Sequence, residues 1–166
     1  ERLGQFGLEV EPSKTKVLAF GPREVARVRR HGGPKPETFD FLGFTHYCGV
    51  SRSGKRFRMK RVTSRKKFRA GLAAIKAWLK ANRTRMKNRE LWEKVRSKLR
   101  GHYAYYGVSD NYRGLERFLY EVKRLVFKWL NRQGGRRRMN WDQIGQMEKR
   151  FPLPRPRIQV NLLSSW

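Results

Sequence analysis

Three tyrosines and one histidine follow an Arg-Gly pair in the stretch LRGHYAYYGV, which runs from Leu99 to Val108 and holds no acidic residue. Aromatic side chains in a basic segment can stack on nucleic-acid bases while neighbouring arginines contact phosphates. The same spacing places Leu99, Tyr103 and Tyr106 on one face of a helix, as in a packed core. The stretch therefore indicates two roles, a stacking surface and a core face, and it does not by itself choose between them.

Groups that could carry out catalysis are scattered along the chain. The histidines and aspartates stand far apart in sequence, and no Asp-Asp pair occurs; they are His31, His46, His102, Asp40, Asp110 and Asp142. Phosphoryl transfer by a two-metal site requires clustered carboxylates. We therefore expect no catalytic residue and no metal site in this chain.

Cys48 is the only cysteine, which excludes an internal disulfide and zinc sites built from several Cys or His ligands. We expect it to act as a small buried hydrophobic residue in a reducing compartment.

No apolar run approaches the roughly 20 residues of a membrane span, and we expect no membrane partner.

The charge of the chain favours a polyanionic partner. The 166 residues contain 41 Lys and Arg against 13 Asp and Glu, a formal net charge of +28. Such a protein repels itself unless it binds a polyanion, and nucleic-acid backbones release counterions when lysines and arginines neutralise their phosphates. A very soluble surface with no partner is the alternative that charge alone leaves open.

The first 62 residues have the patterns of strands and turns. EVEPSKTKVLAF predicts two short strands, the second containing Val17, Leu18 and Phe20, and the Gly- and Pro-containing residues 21–37 predict a mobile surface loop. TFDFLGFTHYCGV alternates as one strand, with Phe41 and Gly43 on the face opposite to Phe44.

The next segment predicts a hairpin. SRSGKR has the composition of a hairpin tip, and RFRMKRV returns as a strand. Alternation places Arg56, Arg58 and Lys60 on one positive face, and Phe57 and Met59 on a dry face.

From Thr63 onward the apolar period lengthens from two to 3.6, which predicts helices. The first is capped by Thr63 or Ser64, and the others begin near Asn88, near Asn111 and after Asn140. Prolines keep residues 151–166 extended, as a tail that packs on the bundle or contacts RNA. The sequence thus predicts an α+β fold with a β-rich part at 1–62, a helical part at 63–150 and a tail at 151–166.

Six segments resemble, in order, those of group II intron-encoded reverse transcriptase/maturases: GLEVEPSKTKVLAF, FDFLGFTH, LRGHYAYYGVSDN, KWLNRQ, NWDQ and FPLPRPRI. The resemblance covers nearly the whole chain. The first two segments are similar to the end of the reverse-transcriptase palm. The others are similar to the thumb, also called domain X or the maturase-specific domain.

The resemblance implies an architecture and a function. Residues 1–62 would be short β-hairpin elements completing a reverse-transcriptase palm, and residues 63–150 a mainly helical thumb of three to four helices. A primer-grip-like hairpin would contain Phe41, Leu42, Gly43 and Phe44. The chain would grip template–primer duplex and intron RNA, in support of RNA splicing and reverse transcription during retrohoming.

The resemblance also implies partners that the chain itself lacks. The catalytic aspartate pair and its Mg²⁺ would belong to an upstream palm and fingers of a full-length parent, which would also meet a DNA target. The chain starts at Glu1, not Met, and we expect a fragment that holds no cofactor and does not polymerise DNA alone.

Basic residues spread over the chain are the candidates for RNA contact. They are Lys14, Lys16, Arg56, Arg58, Lys60, Arg61, Arg65, Lys66, Arg69, Arg96, Arg100, His102, Arg136, Arg137 and Arg138. The alternative function is that of a stand-alone structural RNA-binding protein associated with the ribosome. In either case we expect a location in the bacterial cytoplasm, with the nucleoid or a ribonucleoprotein.

Overall fold

The computed structural model describes residues 6–7, 11, 15–51, 53–132 and 140–162. In chain order, its helices and strands are α1 (Pro22–His31), β1 (Phe39–Phe41), β2 (Phe44–Val50), β3 (Phe57–Thr63), α2 (Arg65–Asn82), α3 (Asn88–Tyr106), α4 (Tyr112–Leu130) and α5 (Trp141–Arg150). The strands form an antiparallel sheet in the order β1-β2-β3. The prediction of a mixed α+β fold is confirmed.

The chain divides into two compact units. The first unit comprises Glu1–Phe39 and Tyr47–Met59, and the second comprises Asp40–His46 and Lys60–Trp166. All four helices that follow β3 belong to the second unit, together with the tight turn between β1 and β2.

The first unit contains a helix where the sequence predicted a loop. Helix α1 spans Pro22–His31, with Pro22 in its first turn and Gly32 directly after its end. Proline at the start and glycine past the end are the signals that bound a helix, and the loop prediction missed them by treating both residues as turn formers. Residues 15–20, predicted to hold a strand, are not part of one.

For the hairpin formed by β2 and β3, the predicted tip is correct, but the face of β3 that was predicted to be buried is not. The amide of Ser51 donates to the carbonyl of Arg56 at 2.7 Å, which closes the tip between β2 and β3. Arg56 lies just before β3 rather than in it, and Met59 is exposed. The face of β3 that was predicted to be buried is therefore exposed to solvent at Met59.

Cys48, also in the first unit, is half-buried, and its Sγ accepts a hydrogen bond from the Gly21 amide at 3.3 Å.

The helices of the second unit begin near the predicted residues, and two of them have a side-chain cap. The hydroxyl of Ser64 caps α2 by accepting from the Lys67 amide, and Asn140 and Gln143 form a reciprocal capping box at the start of α5. Helix α3 begins at Asn88, as predicted, and α4 begins directly after Asn111. The apolar stripes that the 3.6-residue period identified are the faces that these helices bury.

One core fills the interior of the helical bundle. It is built from residues of α2, α3, α4, α5 and the tail that are almost fully removed from solvent: Ile75, Leu79, Leu91, Trp92, Val95, Leu99, Tyr103, Leu115, Phe118, Val122, Val126, Trp129, Leu130, Ile144 and Leu153. Burying so many large apolar side chains supplies the main driving force for folding this unit.

The Pro-rich tail packs on the bundle, as predicted. The indole of Trp92 donates to the carbonyl of Phe151 at 2.6 Å, and the Gln159 amide donates to the carbonyl of Gly107, also at 2.6 Å. A parallel bridge between Val108 and Val160 continues this attachment. The tail is thus held at both ends against α3 and the residues that follow it.

Asn111 joins three parts of the second unit. Its fully buried side chain accepts a hydrogen bond from the Thr63 amide at 3.0 Å. Its amide group donates to the Thr63 hydroxyl and to the carbonyl of Tyr106, each at 2.8 Å. The end of β3, the end of α3 and the start of α4 therefore meet at one side chain.

Alanine substitutions at two helical glycines, one beside Asn111 and one away from it, should change the stability of the fold in opposite directions. A Cβ atom on Gly114 would lie 2.4 Å from Oδ1 of Asn111, whereas one on Gly101 would meet nothing within 4 Å. Alanine generally improves a helix by up to about 1 kcal/mol relative to glycine. We expect Gly101→Ala to raise the free energy of unfolding by that amount and Gly114→Ala to lower it by about 1–3 kcal/mol through overpacking.

Urea denaturation of the two variants checks this expectation. If Gly114→Ala were as stable as Gly101→Ala, the close approach of Asn111 to α4 would be wrong.

Candidate nucleic-acid interface

The turn between β1 and β2 is a two-residue hairpin in a restricted conformation. Leu42 has φ of 48° and Gly43 has φ of 81°, and positive φ at both central positions is the requirement of a type I′ turn. The Thr45 hydroxyl donates to the Asp40 carboxylate at 2.5 Å across the hairpin, which fixes the register. Phe41 and Phe44 therefore oppose each other on the same face, and the prediction of one uninterrupted strand was wrong.

Two hydrogen bonds attach this turn to the helices. The hydroxyl of Tyr105, on α3, donates to the carbonyl of Leu42 at 2.8 Å. The amide of Ser64, at the start of α2, donates to the carbonyl of Gly43 at 2.9 Å. Both carbonyls of the turn are thus held by the bundle, which offsets the cost of placing a leucine at positive φ.

Aromatic packing adds to this attachment. The rings of Phe44 and Tyr105 stack with centroids 6.0 Å apart and an angle of 13°, and Phe44 meets Tyr106 edge to face at 5.3 Å. Phe41, Leu42 and Tyr105 nevertheless expose 59%, 67% and 55% of their surface. We call these three residues the aromatic turn surface. It is an apolar patch on a strongly basic protein.

The start of α2 adjoins this surface and is strongly cationic. Its first turn carries Arg65, Lys66 and Lys67, all exposed, and contains no acidic residue. A Cβ atom on Gly43 would lie 3.5 Å from Cγ of Lys67, so the turn and the helix start are neighbours. The positive end of the helix dipole makes three cations unfavourable here and makes the same place attractive to an anion.

His102 lies in an aromatic stack and not on this surface. Its ring is parallel to that of Phe118 at 3.6 Å, and its centroid is 4.7 Å from that of Tyr106. Burial lowers the pKa of His102 to about 4, so the imidazole is neutral at pH 7. Its contact with RNA stays a prediction, and this geometry does not favour it. It gives His102 a packing role instead.

His46 is a second imidazole of this unit with a lowered pKa, and it is buried. Its pKa is lowered by burial first and by the nearby positive charge of Arg61 second, while the backbone of Phe41 and the Asp40 carboxylate act in the opposite direction. Because the imidazole is buried and neutral, it does not add to the cationic surface.

Several residues predicted to bind RNA fall outside the second unit or outside the described residues. Lys14, Arg136, Arg137 and Arg138 lie outside the described residues. In the first unit, Lys16 forms an ion pair with Glu37 at 2.8 Å, Arg56 is exposed and Arg58 is half-buried in β3.

The remaining predicted residues belong to the second unit. Lys60 and Arg61 are half-buried in β3, and Arg69 is exposed on α2 beyond Arg65 and Lys66. Arg96 is engaged by both carboxylate oxygens of Glu93, at 2.9 and 3.1 Å. Arg100 is exposed and lines a cavity beside the tail. The structure therefore places Arg65 and Lys66 in the first turn of α2, directly after Ser64, whose amide donates to the Gly43 carbonyl. Their contact with RNA stays a prediction.

Lys67 at the start of α2 and Tyr105 of the aromatic turn surface were not among the residues predicted to bind RNA. Lys67 completes the cationic turn, and Tyr105 supplies both an exposed ring and the hydrogen bond to Leu42. The position of Tyr105 off the apolar stripe of α3 was a signal that it would not be buried in the core. Its contact with the turn depends on tertiary structure, which no local pattern predicts.

Within the described ranges, His, Cys, Asp and Glu side chains form no group of three or more that could hold a metal ion. The Mg²⁺ that the resemblance places in a full-length parent has no ligand set among these residues. No helix in the described part of the chain is long and apolar enough to cross a bilayer.

Comparisons of the chain with protein-family models, with curated proteins and with solved structures return no match.

The His102 stack predicts how stability depends on pH. The folded-state pKa of about 4 is below the unfolded value of 6.5, so the unfolded chain binds the proton first. The stabilisation from His102 is complete above pH 6.5 and is lost as the pH falls through 4. One pKa unit corresponds to about 1.4 kcal/mol, and because the ring is only partly buried we expect a total loss of about 1–2 kcal/mol.

The measurement is the free energy of unfolding of the wild type minus that of His102→Phe, from pH 7.5 to 3.5. Phenylalanine keeps a flat ring against Phe118 and cannot titrate, so the difference isolates this imidazole. A difference that does not change with pH would contradict the neutral, buried state of His102.

Proposed function

We propose that this chain is an RNA-binding protein whose second unit binds RNA at the aromatic turn surface and the start of α2. In the fuller form of the proposal, it is the C-terminal portion of a group II intron reverse transcriptase/maturase. It would grip intron RNA and template–primer duplex to support splicing and reverse transcription.

One observation carries this proposal: a cationic helix start lies beside an exposed aromatic turn. Arg65, Lys66 and Lys67 stand at the positive end of α2 with no acidic residue in the first turn. This arrangement opposes helix stability, and a bound anion would turn the unfavourable charge into a favourable contact. A strand of RNA supplies phosphates for the cations and bases for the exposed rings.

The composition of the whole chain supports the same partner. With 41 basic and 13 acidic residues, pairing within the protein leaves a large excess of positive charge. A polyanion neutralises this excess and releases its own counterions, which makes binding steeply dependent on salt. Even six phosphate contacts would lower affinity about a thousandfold between 50 and 200 mM salt.

The attachment of the FDFLGF hairpin to the helices supports the fuller form. The resemblance assigns Phe41, Leu42, Gly43 and Phe44 to a primer-grip-like hairpin and the helices to a thumb. In the second unit, Tyr105 and Ser64 hold both carbonyls of that turn. A hairpin that positions a primer end beside a thumb needs such a fixed geometry. The proposal of an intron-encoded protein rests on this geometry together with the resemblance.

A stand-alone RNA-binding protein of the ribosome is the second candidate. Its support is the charge, which suits any structured RNA. The two candidates differ in their ligand. An intron protein binds its intron RNA much more tightly than ribosomal RNA of equal length, at the same salt concentration.

The cationic turn predicts a variant that binds worse and folds better. Replacing Arg65, Lys66 and Lys67 by Gln removes three charges from the helix start. We expect the slope of log affinity against log salt to fall by about one unit for each phosphate that is no longer neutralised, up to three. We also expect the free energy of unfolding to rise by about 1 kcal/mol at low salt, because the helix dipole is no longer opposed.

Filter binding to a structured RNA and thermal melting provide the two measurements. The matched control replaces Lys76, Lys80 and Lys94, three exposed lysines of α2 and α3 that lie away from the helix start. Equal losses of affinity and slope in both variants would show that only total charge matters, and would contradict a site at α2.

Tyr105 allows the stacking contribution to be measured separately. Tyr105→Ala removes the exposed ring, and we expect RNA affinity to fall by roughly 1–3 kcal/mol, the range for one stacked base. Tyr105→Phe keeps the ring and loses only the hydrogen bond to Leu42, so its affinity should stay within about 1 kcal/mol of the wild type. If both variants bind RNA like the wild type, the ring does not stack on a base.

A further inference from the structure

A cavity of about 510 Å³ opens between the C-terminal half of α3 and the tail. Its wall combines three arginines, Arg100, Arg155 and Arg157, with Tyr103 and Gln159, and no acidic residue lines it. The three arginines are exposed, and none forms an ion pair in the part of the chain that the structure describes. The cavity is therefore a concave and strongly positive site.

The packing of the tail holds the backbone that carries two of these arginines. Leu153 and Pro156 are buried against the bundle, whereas Arg155 and Arg157 are exposed. The extended tail is anchored before them through the carbonyl of Phe151 and after them through the amide of Gln159. The two guanidinium groups are thus presented by a backbone held on both sides, which limits the entropy lost when they bind.

Tyr103 gives an independent indication of a ligand. The residue is 3% exposed, it lines the cavity, and its hydroxyl has no hydrogen-bond partner among the described residues. A buried hydroxyl without a partner is costly and uncommon. Burial raises the pKa of Tyr103, so the hydroxyl keeps its proton and is a hydrogen-bond donor that no described residue satisfies.

We propose that this cavity binds a phosphate group, held by Arg100, Arg155 and Arg157, with the hydroxyl of Tyr103 donating a hydrogen bond to one of its oxygens. Guanidinium groups match phosphate oxygens in charge and in geometry. The volume lies in the range of about 300–1,000 Å³ that is typical of ligand sites, so it accommodates the nucleotide that carries the phosphate. The residues that line the cavity include none of the three residues of the aromatic turn surface.

Two sources can supply this phosphate: free phosphate or an RNA strand. Binding of inorganic phosphate does not depend on the proposed function. Binding of a phosphate within RNA rests on that function, because it adds a second point of contact for the same strand. The experiment therefore has one arm for each source.

The first arm titrates the full chain with inorganic phosphate at constant ionic strength. NMR of the arginine side chains follows the Nε–H resonances of Arg100, Arg155 and Arg157. We expect these three to shift together and to saturate, ahead of other arginines. A set of small, unsaturated shifts over all arginines would overturn the proposal.

Tyr103→Phe is the decisive variant because it removes one oxygen and no charge. We expect phosphate to bind roughly tenfold more weakly, which corresponds to about 1.4 kcal/mol. Thermal stability should be unchanged or higher, since an unpaired buried hydroxyl is lost. Tyr120→Phe, at an exposed tyrosine outside this cavity, is the matched control. Equal phosphate affinity of the two variants would overturn the role of Tyr103.

The second arm compares RNA oligonucleotides with a 5′-phosphate or a 5′-hydroxyl. If Tyr103→Phe weakens only the phosphorylated RNA, the site takes a terminal phosphate; if it weakens both equally, the site takes a phosphate within the strand. Arg155→Gln/Arg157→Gln should lower RNA affinity more than Lys76→Gln/Lys80→Gln, which removes the same charge elsewhere. Equal losses in these two double variants would overturn an RNA phosphate in the cavity.

The two proposals fail in different ways. If the variants at Arg65, Lys66 and Lys67 bind RNA normally while inorganic phosphate still saturates the three arginines, the aromatic turn surface is wrong and the cavity stands. If those variants lose RNA binding while phosphate gives no selective shift, the cavity is wrong and the surface stands.

Discussion

The three hydrogen bonds of Asn111 are the constraint on which the arrangement of the second unit depends. Its fully buried side chain satisfies the amide and hydroxyl of Thr63 and the carbonyl of Tyr106. Because an apolar replacement would remove the partner of all three groups, only a side chain that both donates and accepts fits this place. With Thr63 fixed, the next residue, Ser64, is placed to cap α2 and to hold the Gly43 carbonyl. The geometry of the candidate interface thus depends on the buried side-chain amide of Asn111.

A continuous series of aromatic contacts connects the core to the turn between β1 and β2. Phe118 of α4 stacks on His102, His102 contacts Tyr106, and Tyr106 meets Phe44 beside the turn. Because each ring is positioned by the next, the exposed Tyr105 stands on rigid support. A stacking platform for bases loses little conformational entropy on binding when its support is already ordered. The aromatic stretch from Leu99 to Val108 indicated both a core face and a stacking surface. Tyr103 is buried in the core, and Tyr105 is exposed, as a stacking surface requires.

Local signals were sufficient for the helices and insufficient for the turn and the cavity. Apolar periodicity and capping residues such as Ser64 and Asn140 predicted where the helices of the second unit begin, because both effects act within one or two turns of chain. The strand-like alternation of side chains runs through Leu42 and Gly43 in the sequence, yet the folded chain turns there. A leucine at positive φ has no sequence signature that would have predicted this turn. The cavity joins α3 to arginines more than fifty residues later, through tail contacts that only the folded chain creates.

If the protein binds a polyanion as proposed, the distribution of charge links its folding to that binding. Helix α2 begins with three cations at the positive end of its dipole, and Arg155 and Arg157 share a cavity wall with Arg100. Both arrangements raise the free energy of the isolated fold, and the apolar core of the bundle offsets that cost. A ligand that binds only the folded state stabilises it in proportion to the logarithm of its concentration over its dissociation constant. Under the proposed function, an RNA strand that neutralises these groups would bind and stabilise the fold by the same interactions, and this would offset the cost of the cationic helix start.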